Sequence, residues 1–499
     1  MHTKPLAVVI GAGIAGIASA IRLAVQGFDV KVFEKAGEPG GKLGHFEDSG
    51  FHFDTGPSLF TQPGNIEELF ALAGEPIEDY FRYRKMPESC CYFYEDGTIV
   101  RASAEREKFA DELYRQTGES PEHVTRYLAR SEQLYEHVAK IFLNHSLHKR
   151  NILWKAPIRK ALGTVGLPHL LKSLNQVNTN YFTQEKVVQL FNRYATYNGS
   201  NPFKAPGMLS LIPHLEHNEG TFYPEGGMIS ITNALVALAK KKEVQFYFNQ
   251  PVERIIRYNN RATGVVVNEK NIPADVVVSN TDVYFTYLRL LNDQTTAAKI
   301  LKQERSSSAM IFYWGVNKEF PQLGLHNIFF SEAYEKEFDH IFRLKKVYSD
   351  PTVYINITSK CEPGKHAPEG KENWFVMINV PANVGQDWNS LQQTCRSLII
   401  EKLSRMLKTD LAPLIATEQV LDPVLIESKT GSYQGSLYGT SSNSRMAAFM
   451  RHPNFSRKID ALYFVGGSVH PGGGIPLCLK SARIMADLVQ KDLRNKWQH

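Results

Sequence analysis

The chain opens with two apolar runs that flank a glycine-rich turn and a helical pattern. Residues 6–10 are apolar and β-branched, which is typical of a buried parallel strand. Residues 17–24 have the composition of a good helix, and residues 28–33 alternate between apolar and polar positions. This order predicts a strand–turn–helix–strand unit at the N-terminus.

The turn and the end of the second strand carry residue types that suit a dinucleotide. In a GxGxxG turn the first glycine permits the sharp bend, the second lets the backbone approach a pyrophosphate, and the third allows close helix packing. The helix start adds oriented N–H groups, and an acid after the second strand accepts hydrogen bonds from ribose hydroxyls. A glycine-rich turn without a ligand does not require all of these parts in order. The predicted site consists of Gly11, Ala12, Gly13, Ile14, Ala15, Gly16, Glu34 and Lys35.

The same periodicities return in the middle and at the end of the chain. A helix is predicted over 229–240, a strand over 244–249, and further strands over 262–267 and 275–278. Residues 461–465 predict another strand, which a glycine-rich turn connects to an amphipathic helix over 477–493. Pro476 suits the first turn of that helix, because its missing N–H costs nothing there.

Length and composition restrict the class of protein. At 499 residues with 43% hydrophobic residues, the chain predicts a globular protein of two or three substructures. An uncharged apolar run of about 18 residues is absent, so a membrane-spanning helix is not predicted. The five cysteines form no CxxC pair, which favours reduced thiols, a cytoplasmic protein and no metal site.

A second glycine-rich loop follows soon after Glu34. The loop contains Gly41 and Lys42. It is followed by an Asp-Thr-Gly-Pro-Ser run at residues 54–58, which includes Gly56, Pro57 and Ser58. A nicotinamide site does not need this loop, and no other GxGxxG follows a strand downstream. The pattern resembles the large FAD family that includes amine oxidases and carotenoid desaturases, which implies FAD and no built-in NAD(P)H site.

Over nearly its whole length the chain resembles bacterial carotenoid desaturases of the phytoene-desaturase type. The most specific stretches are residues 41–57, 223–227 and 470–476. In the last stretch phytoene desaturases usually have alanine at the middle glycine, whereas this sequence is similar to the 1-hydroxycarotenoid 3,4-desaturase branch. The resemblance also implies that FAD contacts Val252, Gly467, Gly474, Ile475 and Pro476.

The resemblance implies an α/β fold in which a Rossmann-like FAD-binding domain is assembled from three separated segments. We expect these segments at residues 1–80, 216–285 and 426–499. Residues 81–215 are expected to form a substrate and helical part with a membrane-facing insertion, and residues 286–425 a mixed substrate-domain sheet.

The activity implied by the resemblance is FAD-dependent desaturation of an acyclic carotenoid end, specifically 3,4-desaturation of a 1-hydroxycarotenoid by hydride transfer to the flavin. Candidate proton acceptors are His470 and Glu225, and the electrons are expected to leave to oxygen or a membrane quinone. The aromatic residues of 312–314 and 329–330 either line a substrate tunnel or form ordinary core.

Residues 137–184 contain no Asp or Glu, and they mix Lys and Arg with apolar residues. This composition suits helices that lie in the interface of an anionic membrane, although a solvated basic face has the same pattern. With a carotenoid substrate, peripheral attachment to the inner face of the membrane is expected. Nucleic acid is not predicted, because no RNP-type or zinc motif accompanies the basic residues.

Other functions are compatible with parts of the pattern. A phytoene desaturase, a carotenoid isomerase with redox-silent FAD and an amine-oxidase-like flavoenzyme all fit the N-terminal motifs. Residues 464–467 lack the aromatic pair that amine oxidases usually place before the C-terminal motif. A flavin-dependent lipid-binding protein is the alternative that is not an enzyme.

Overall fold

A computed structural model of the chain describes residues 4–146, 148, 165–444 and 451–497. The strands in this part of the chain are β1 Leu6–Ile10, β2 Asp29–Phe33, β3 His45–Asp48, β4 Phe51–Asp54, β5 Tyr83–Lys85, β6 Glu88–Phe93, β7 Ile99–Ser103, β8 Phe222–Pro224, β9 Gln245–Tyr247, β10 Val252–Tyr258, β11 Arg261–Val267, β12 Lys270–Pro273, β13 Val276–Ser279, β14 Ser308–Val316, β15 His326–Phe329, β16 Val353–Asn356, β17 Glu372–Val380, β18 Ile415–Leu421 and β19 Leu462–Phe464.

The α-helices lie mostly between these strands. They are α1 Ile14–Val25, α2 Gly64–Ala73, α3 Arg106–Thr117, α4 Pro121–Leu134, α5 Lys140–Asn144, α6 Leu167–Leu171, α7 Leu174–Tyr181, α8 Glu185–Asn192, α9 Ile229–Lys241, α10 Val283–Phe285, α11 Gln294–Ile300, α12 Tyr334–Asp339, α13 Trp388–Met406, α14 Pro423–Thr430 and α15 Ile475–Trp497. A π-helical turn, Tyr135–Ala139, joins α4 to α5.

A five-stranded parallel sheet joins three distant stretches of the chain. Its order is β19-β13-β1-β2-β9, and every neighbouring pair is parallel. Helix α1 packs against α9 and α15 beside this sheet. Strand β1 is buried apart from its first residue, because helices cover one side and the β10–β11 ribbon covers the other.

The turn between β1 and α1 depends on close backbone contact. Gly11 has a φ of +95°, which a residue with a Cβ rarely adopts. A Cβ on Gly16 would lie 2.1 Å from the carbonyl oxygen of Gly11. Helix α1 therefore starts against the end of β1 only because residue 16 has no side chain.

The second sheet has seven strands in the order β18-β14-β17-β16-β15-β6-β7. All neighbours are antiparallel except β15 and β6, which makes the sheet mixed. Trp314 and Trp374, which are fully buried, pack in the core between this sheet and α13. Helices α3, α4, α7 and α8 share a separate aromatic core beside β6.

The predicted α/β architecture, with a parallel sheet and a mixed sheet, is confirmed. The first strand has the predicted bounds, whereas the strand predicted over 244–249 is shortened to Gln245–Tyr247. The C-terminal helix begins at Ile475, two residues earlier than predicted. The boundaries of the five segments stay predictions, as does the membrane-facing character of the helical part.

We expect Gly16→Ala to lower the free energy of unfolding by about 2 kcal/mol, because the new methyl group overlaps a backbone oxygen that cannot move independently. Chemical denaturation of the purified protein measures this change. Gly64→Ala is the matched control, since a Cβ there meets nothing closer than 3.8 Å. Equal stability of the two variants would contradict the close-contact role of Gly16.

Candidate active site

A cavity of about 1030 Å³ lies between the two large sheets. Ile10 of β1 and Phe33 of β2 line it on one side, and Tyr313 of β14 and Phe375 of β17 line it on the other. The cavity is therefore bounded by parts of the chain that are hundreds of residues apart. It has a glycine-rich end and a largely apolar end.

The predicted dinucleotide residues gather at the glycine-rich end. The lining there includes Gly11, Gly13, Ile14, Ala15, Glu34, Lys35 and Val252. Ala12 and Gly16 do not line the cavity and instead support the loop. Ala12 donates its N–H to Glu34 Oε2 at 2.7 Å, and Ala36 donates to Oε1 at 2.9 Å. These hydrogen bonds fix the Glu34 carboxylate beside the turn, and its predicted contact with ribose hydroxyls stays a prediction.

Two features of this end fit a pyrophosphate. Helix α1 has Gly13 as its N-cap, and the Asn280 amide oxygen accepts the N–H groups of Gly13 at 3.2 Å and Gly16 at 3.3 Å. No side chain among the described residues caps the N–H groups of Ile14 and Ala15. The residues that carry those groups, Ile14 and Ala15, line the cavity. Unoccupied N–H groups at a helix start form an anion site, so the residues present fit the phosphates of FAD.

The two ends of the chain meet further along the cavity. Lining residues from the N-terminal part are Gly41, Lys42, Gly56, Pro57 and Ser58, and those from the C-terminal part are Gly467, His470, Gly474, Ile475 and Pro476. Gly474 has a φ of +100°, and a Cβ there would meet open space. The start of α15 is thus open towards the cavity, as expected for a second contact region of one cofactor.

Lys42, which is half-buried, and Arg451, which is 2% exposed, place two cations in the lining. Lys42 Nζ donates to the carbonyl of Leu437 at 2.8 Å, and burial lowers the pKa of Lys42 to about 8. Arg451 donates to three backbone carbonyls, those of Tyr438, Gly467 and Thr440, and burial lowers its pKa to about 10. Cations whose hydrogen bonds go to neutral carbonyls favour a negatively charged ligand nearby.

Asp54 holds the second glycine-rich loop against α9. Its carboxylate accepts the N–H groups of Met228 at 2.8 Å and Ile229 at 3.0 Å, at the start of that helix. Burial raises the pKa of Asp54, and these two hydrogen bonds oppose the rise. Gly56, Pro57 and Ser58 of this run were predicted to contact FAD, whereas the role of Asp54 in joining β4 to α9 was not predicted.

The two candidate proton acceptors lie in different environments. His470 lines the cavity and is 2% exposed, whereas Glu225 is exposed and outside the lining. His470 Nε2 donates to the carbonyl of His145 at 3.0 Å, and burial lowers the pKa of His470 to about 4. The neutral ring therefore has its lone pair on Nδ1, which has no partner in the described part of the chain.

The apolar end combines helical and sheet residues. Those from the helical part include Val138, Ala139, Phe142, Leu143 and Met208, and those from the mixed sheet include Ile311, Tyr313, Ile328, Phe375 and Met377. Of the aromatic residues at 312–314 and 329–330, only Tyr313 lines this cavity. The other four are buried in packed cores on either side of the sheet.

A polar patch interrupts the apolar wall, and sequence reasoning missed it. Ser58 Oγ is 2.7 Å from Tyr354 Oη, which is 2.8 Å from His326 Nδ1. Next to it Arg193 pairs with Glu216 at 2.5 Å. Apart from Ser58, these residues belong to no recognisable motif. They meet only in three dimensions, so no local pattern could have identified them.

The glycine-rich lining at residues 11–15 and 41–58, together with that at 467–476, is called the cofactor cradle. The fold and this cradle define a flavin-dependent oxidoreductase. A model of the "Flavin containing amine oxidoreductase" family matches residues 14–490, and the chain belongs to this family. The predicted cofactor, FAD, is confirmed by this membership.

Within the family the chain is similar to enzymes of carotenoid metabolism. It is 50% identical to the 1-hydroxycarotenoid 3,4-desaturase of Flavobacterium sp. (strain P99-3), over 97% of this chain and 98% of that protein. It is 32% identical to the 4,4'-diapolycopene oxygenase of Methylomonas sp, over 98% of both chains. The predicted family resemblance is therefore confirmed.

Solved structures support the fold. An oxidoreductase from Methanosarcina mazei superposes with a TM-score of 0.63 at 17% identity, covering 97% of this chain and all of that one. Cyclohexylamine oxidase from Brevibacterium oxydans IH-35A gives a TM-score of 0.62 at 15% identity, covering 99% and 100%. At these identities the similarity concerns the fold alone.

We expect Lys42→Met to weaken FAD binding about tenfold, since it removes a half-buried cation from the cradle of an anionic cofactor. In the native protein FAD affinity should fall as the pH rises above about 8, because Lys42 loses its charge there. The variant should lack this pH dependence. Fluorescence titration of apoprotein with FAD measures both effects.

Lys42→Arg is the charge-preserving control for this experiment. It should retain most of the affinity and show no loss between pH 7 and 9, because a guanidinium stays protonated there. An identical pH profile for the native protein and Lys42→Met would show that Lys42 does not interact with the cofactor.

Proposed function

We propose that the protein is an FAD-dependent carotenoid desaturase that introduces a conjugated double bond into an acyclic carotenoid end. The specific reaction is the 3,4-desaturation of a 1-hydroxycarotenoid. The observation that carries this proposal is 50% identity to a 1-hydroxycarotenoid 3,4-desaturase over nearly all of both chains. Identity to two carotenoid oxygenases and to a fungal phytoene desaturase is lower, at 30–32%.

The cavity suits the chemistry of such a reaction. When bound, the flavin supplies the oxidising power for removing two hydrogens from neighbouring carbons. The protein's own part is to exclude water and to hold an extended hydrocarbon, which the apolar wall of helical and sheet residues supports. A cavity continuous with the glycine-rich cradle lets one end of a long substrate approach the cofactor.

One of the two hydrogens must leave as a proton. His470 is the better of the two predicted acceptors, because its ring lines the cavity as a neutral imidazole whose enclosed Nδ1 has no partner among the described residues. Glu225 lacks access to the cavity. We assign His470 this role within the proposal, and oxygen or a membrane quinone the role of electron acceptor, since the sequence has no second dinucleotide motif.

We further propose that the protein attaches peripherally to the cytoplasmic face of the membrane through residues 137–184. In support, Phe142 and Leu143 of α5 line the cavity, and α5 lies in this basic stretch. Leu171 of α6 is 52% exposed next to Lys172. Residues 147 and 149–164, which include Lys149, Arg150, Trp154 and Arg159, lie outside the described residues. Among the described helices, none combines the length and apolarity needed to cross a bilayer.

The reaction is tested with FAD-loaded protein in liposomes that contain phytoene, lycopene or a 1-hydroxylated acyclic carotenoid. We expect a product lighter by two hydrogens, with red-shifted absorption, from the hydroxylated substrate alone. Conversion of phytoene would instead establish a phytoene desaturase. An isomer of unchanged mass would establish an isomerase, and a product heavier by oxygen an oxygenase.

Membrane attachment is tested by co-sedimentation with vesicles that contain anionic lipid. We expect binding that weakens as salt rises, and Leu171→Asp should reduce it several-fold by placing a charge among apolar contacts. Leu72→Asp on α2 is the matched control, because Leu72 is 42% exposed and lies outside the basic stretch. Equal loss in both variants, or no binding by the native protein, would refute the proposed attachment surface.

A further inference from the structure

The polar patch in the cavity wall contains a donor that has no partner among the described residues. His326, at the start of β15, is 3% exposed and lines the cavity. Its Nε2 is enclosed and has no hydrogen-bond partner among the described residues. A buried N–H without an acceptor is costly, so such a group indicates an additional interaction.

The hydrogen-bond network determines which ring nitrogen of His326 carries the proton. Asn356 Nδ2 donates to the carbonyl of Leu325 at 3.1 Å, and this contact fixes the orientation of the amide. The same nitrogen lies 3.2 Å from His326 Nδ1, so Nδ1 accepts there, and Tyr354 Oη, 2.8 Å from Nδ1, is then also a donor to it. The proton is therefore on Nε2. Burial lowers the pKa of His326 to about 3, which keeps the ring neutral at physiological pH.

The neighbouring charged groups do not need this donor. Glu216 accepts hydrogen bonds from Arg193, Tyr194 and Tyr197. Its two carboxylate oxygens are therefore already satisfied, and the ion pair is balanced in charge. Among the described residues of the patch, the group without a hydrogen-bond partner is the Nε2–H of His326.

We propose that His326 recognises the hydroxyl group of the substrate, with Nε2–H donating to the hydroxyl oxygen. The proposal rests on the function proposed above and adds a specificity-determining residue to it. A hydrocarbon end has no acceptor for this donor, whereas a 1-hydroxylated end supplies one. The enclosed Nε2 gains this partner by local adjustment of the cavity wall on binding.

The position of His326 relative to the cofactor cradle agrees with the proposed reaction. Tyr354 links His326 Nδ1 to Ser58 through hydrogen bonds of 2.8 and 2.7 Å, and Ser58 is one of the predicted FAD contacts. In a 1-hydroxylated end, one methylene separates the hydroxyl-bearing carbon from C3. A hydrogen bond from His326 to the hydroxyl therefore holds the C3–C4 bond a short distance from the imidazole. Tyr354 is the positioning residue for that imidazole.

The test compares kcat/KM for a 1-hydroxylated carotenoid and for its analogue without the hydroxyl, in native protein and His326→Leu. We expect the preference for the hydroxylated substrate to shrink about tenfold or more in the variant, mainly through KM. His326→Gln, whose amide can donate, should recover part of the preference. Binding of each carotenoid, followed by its absorption shift in the absence of turnover, should show the same order.

His217→Leu is the matched control. His217 is also 3% exposed, and its Nδ1 has no partner among the described residues, but its ring does not line the cavity. This variant should keep the native preference even if its stability falls. Equal losses on both substrates in His326→Leu, or an unchanged preference, would overturn the role of His326. Failure of native protein to convert either substrate would instead count against the proposed function.

Discussion

The pairing of β13 on both of its edges is the interaction on which the rest of the molecule depends. This four-residue strand, buried throughout, forms parallel ladders with β1 on one side and with β19 on the other. It thereby connects the start, the middle and the end of the chain in one sheet. Asn280, directly after β13, lies against the turn that follows β1, where a Cβ on Gly13 would be 2.7 Å from its side-chain amide. Sheet assembly and the shape of the glycine-rich turn are therefore coupled.

The local part of the fold was predictable, because its signals lie close together in sequence. Gly11, Gly13 and Gly16 have steric roles that composition and spacing make recognisable, and Glu34 occupies the position expected from the end of the second strand. The C-terminal cradle was recognisable for the same reason, since the glycine-rich turn and Pro476 mark the start of a helix. The contact of each of these residues with FAD stays a prediction.

The parts that escaped prediction depend on contacts between distant residues. Asp54 caps α9 from a position 174 residues away, and Tyr354 joins Ser58 across 296 residues. Neither contact leaves a periodic or motif-like trace in the sequence. The aromatic strands illustrate the same limit: Phe312 and Trp314 point into a core while Tyr313 between them faces the cavity, and alternation alone cannot say which side holds the ligand.

Because both ends of the chain line the cavity, the cavity is complete only when the whole chain has been synthesised and folded. A nascent chain that already contains the first glycine-rich turn still lacks β19 and the start of α15, which complete the parallel sheet and the cavity wall. In such a chain helix α1 also lacks its partner α15. Truncation before β19 therefore removes an edge strand of the parallel sheet and one wall of the cavity together.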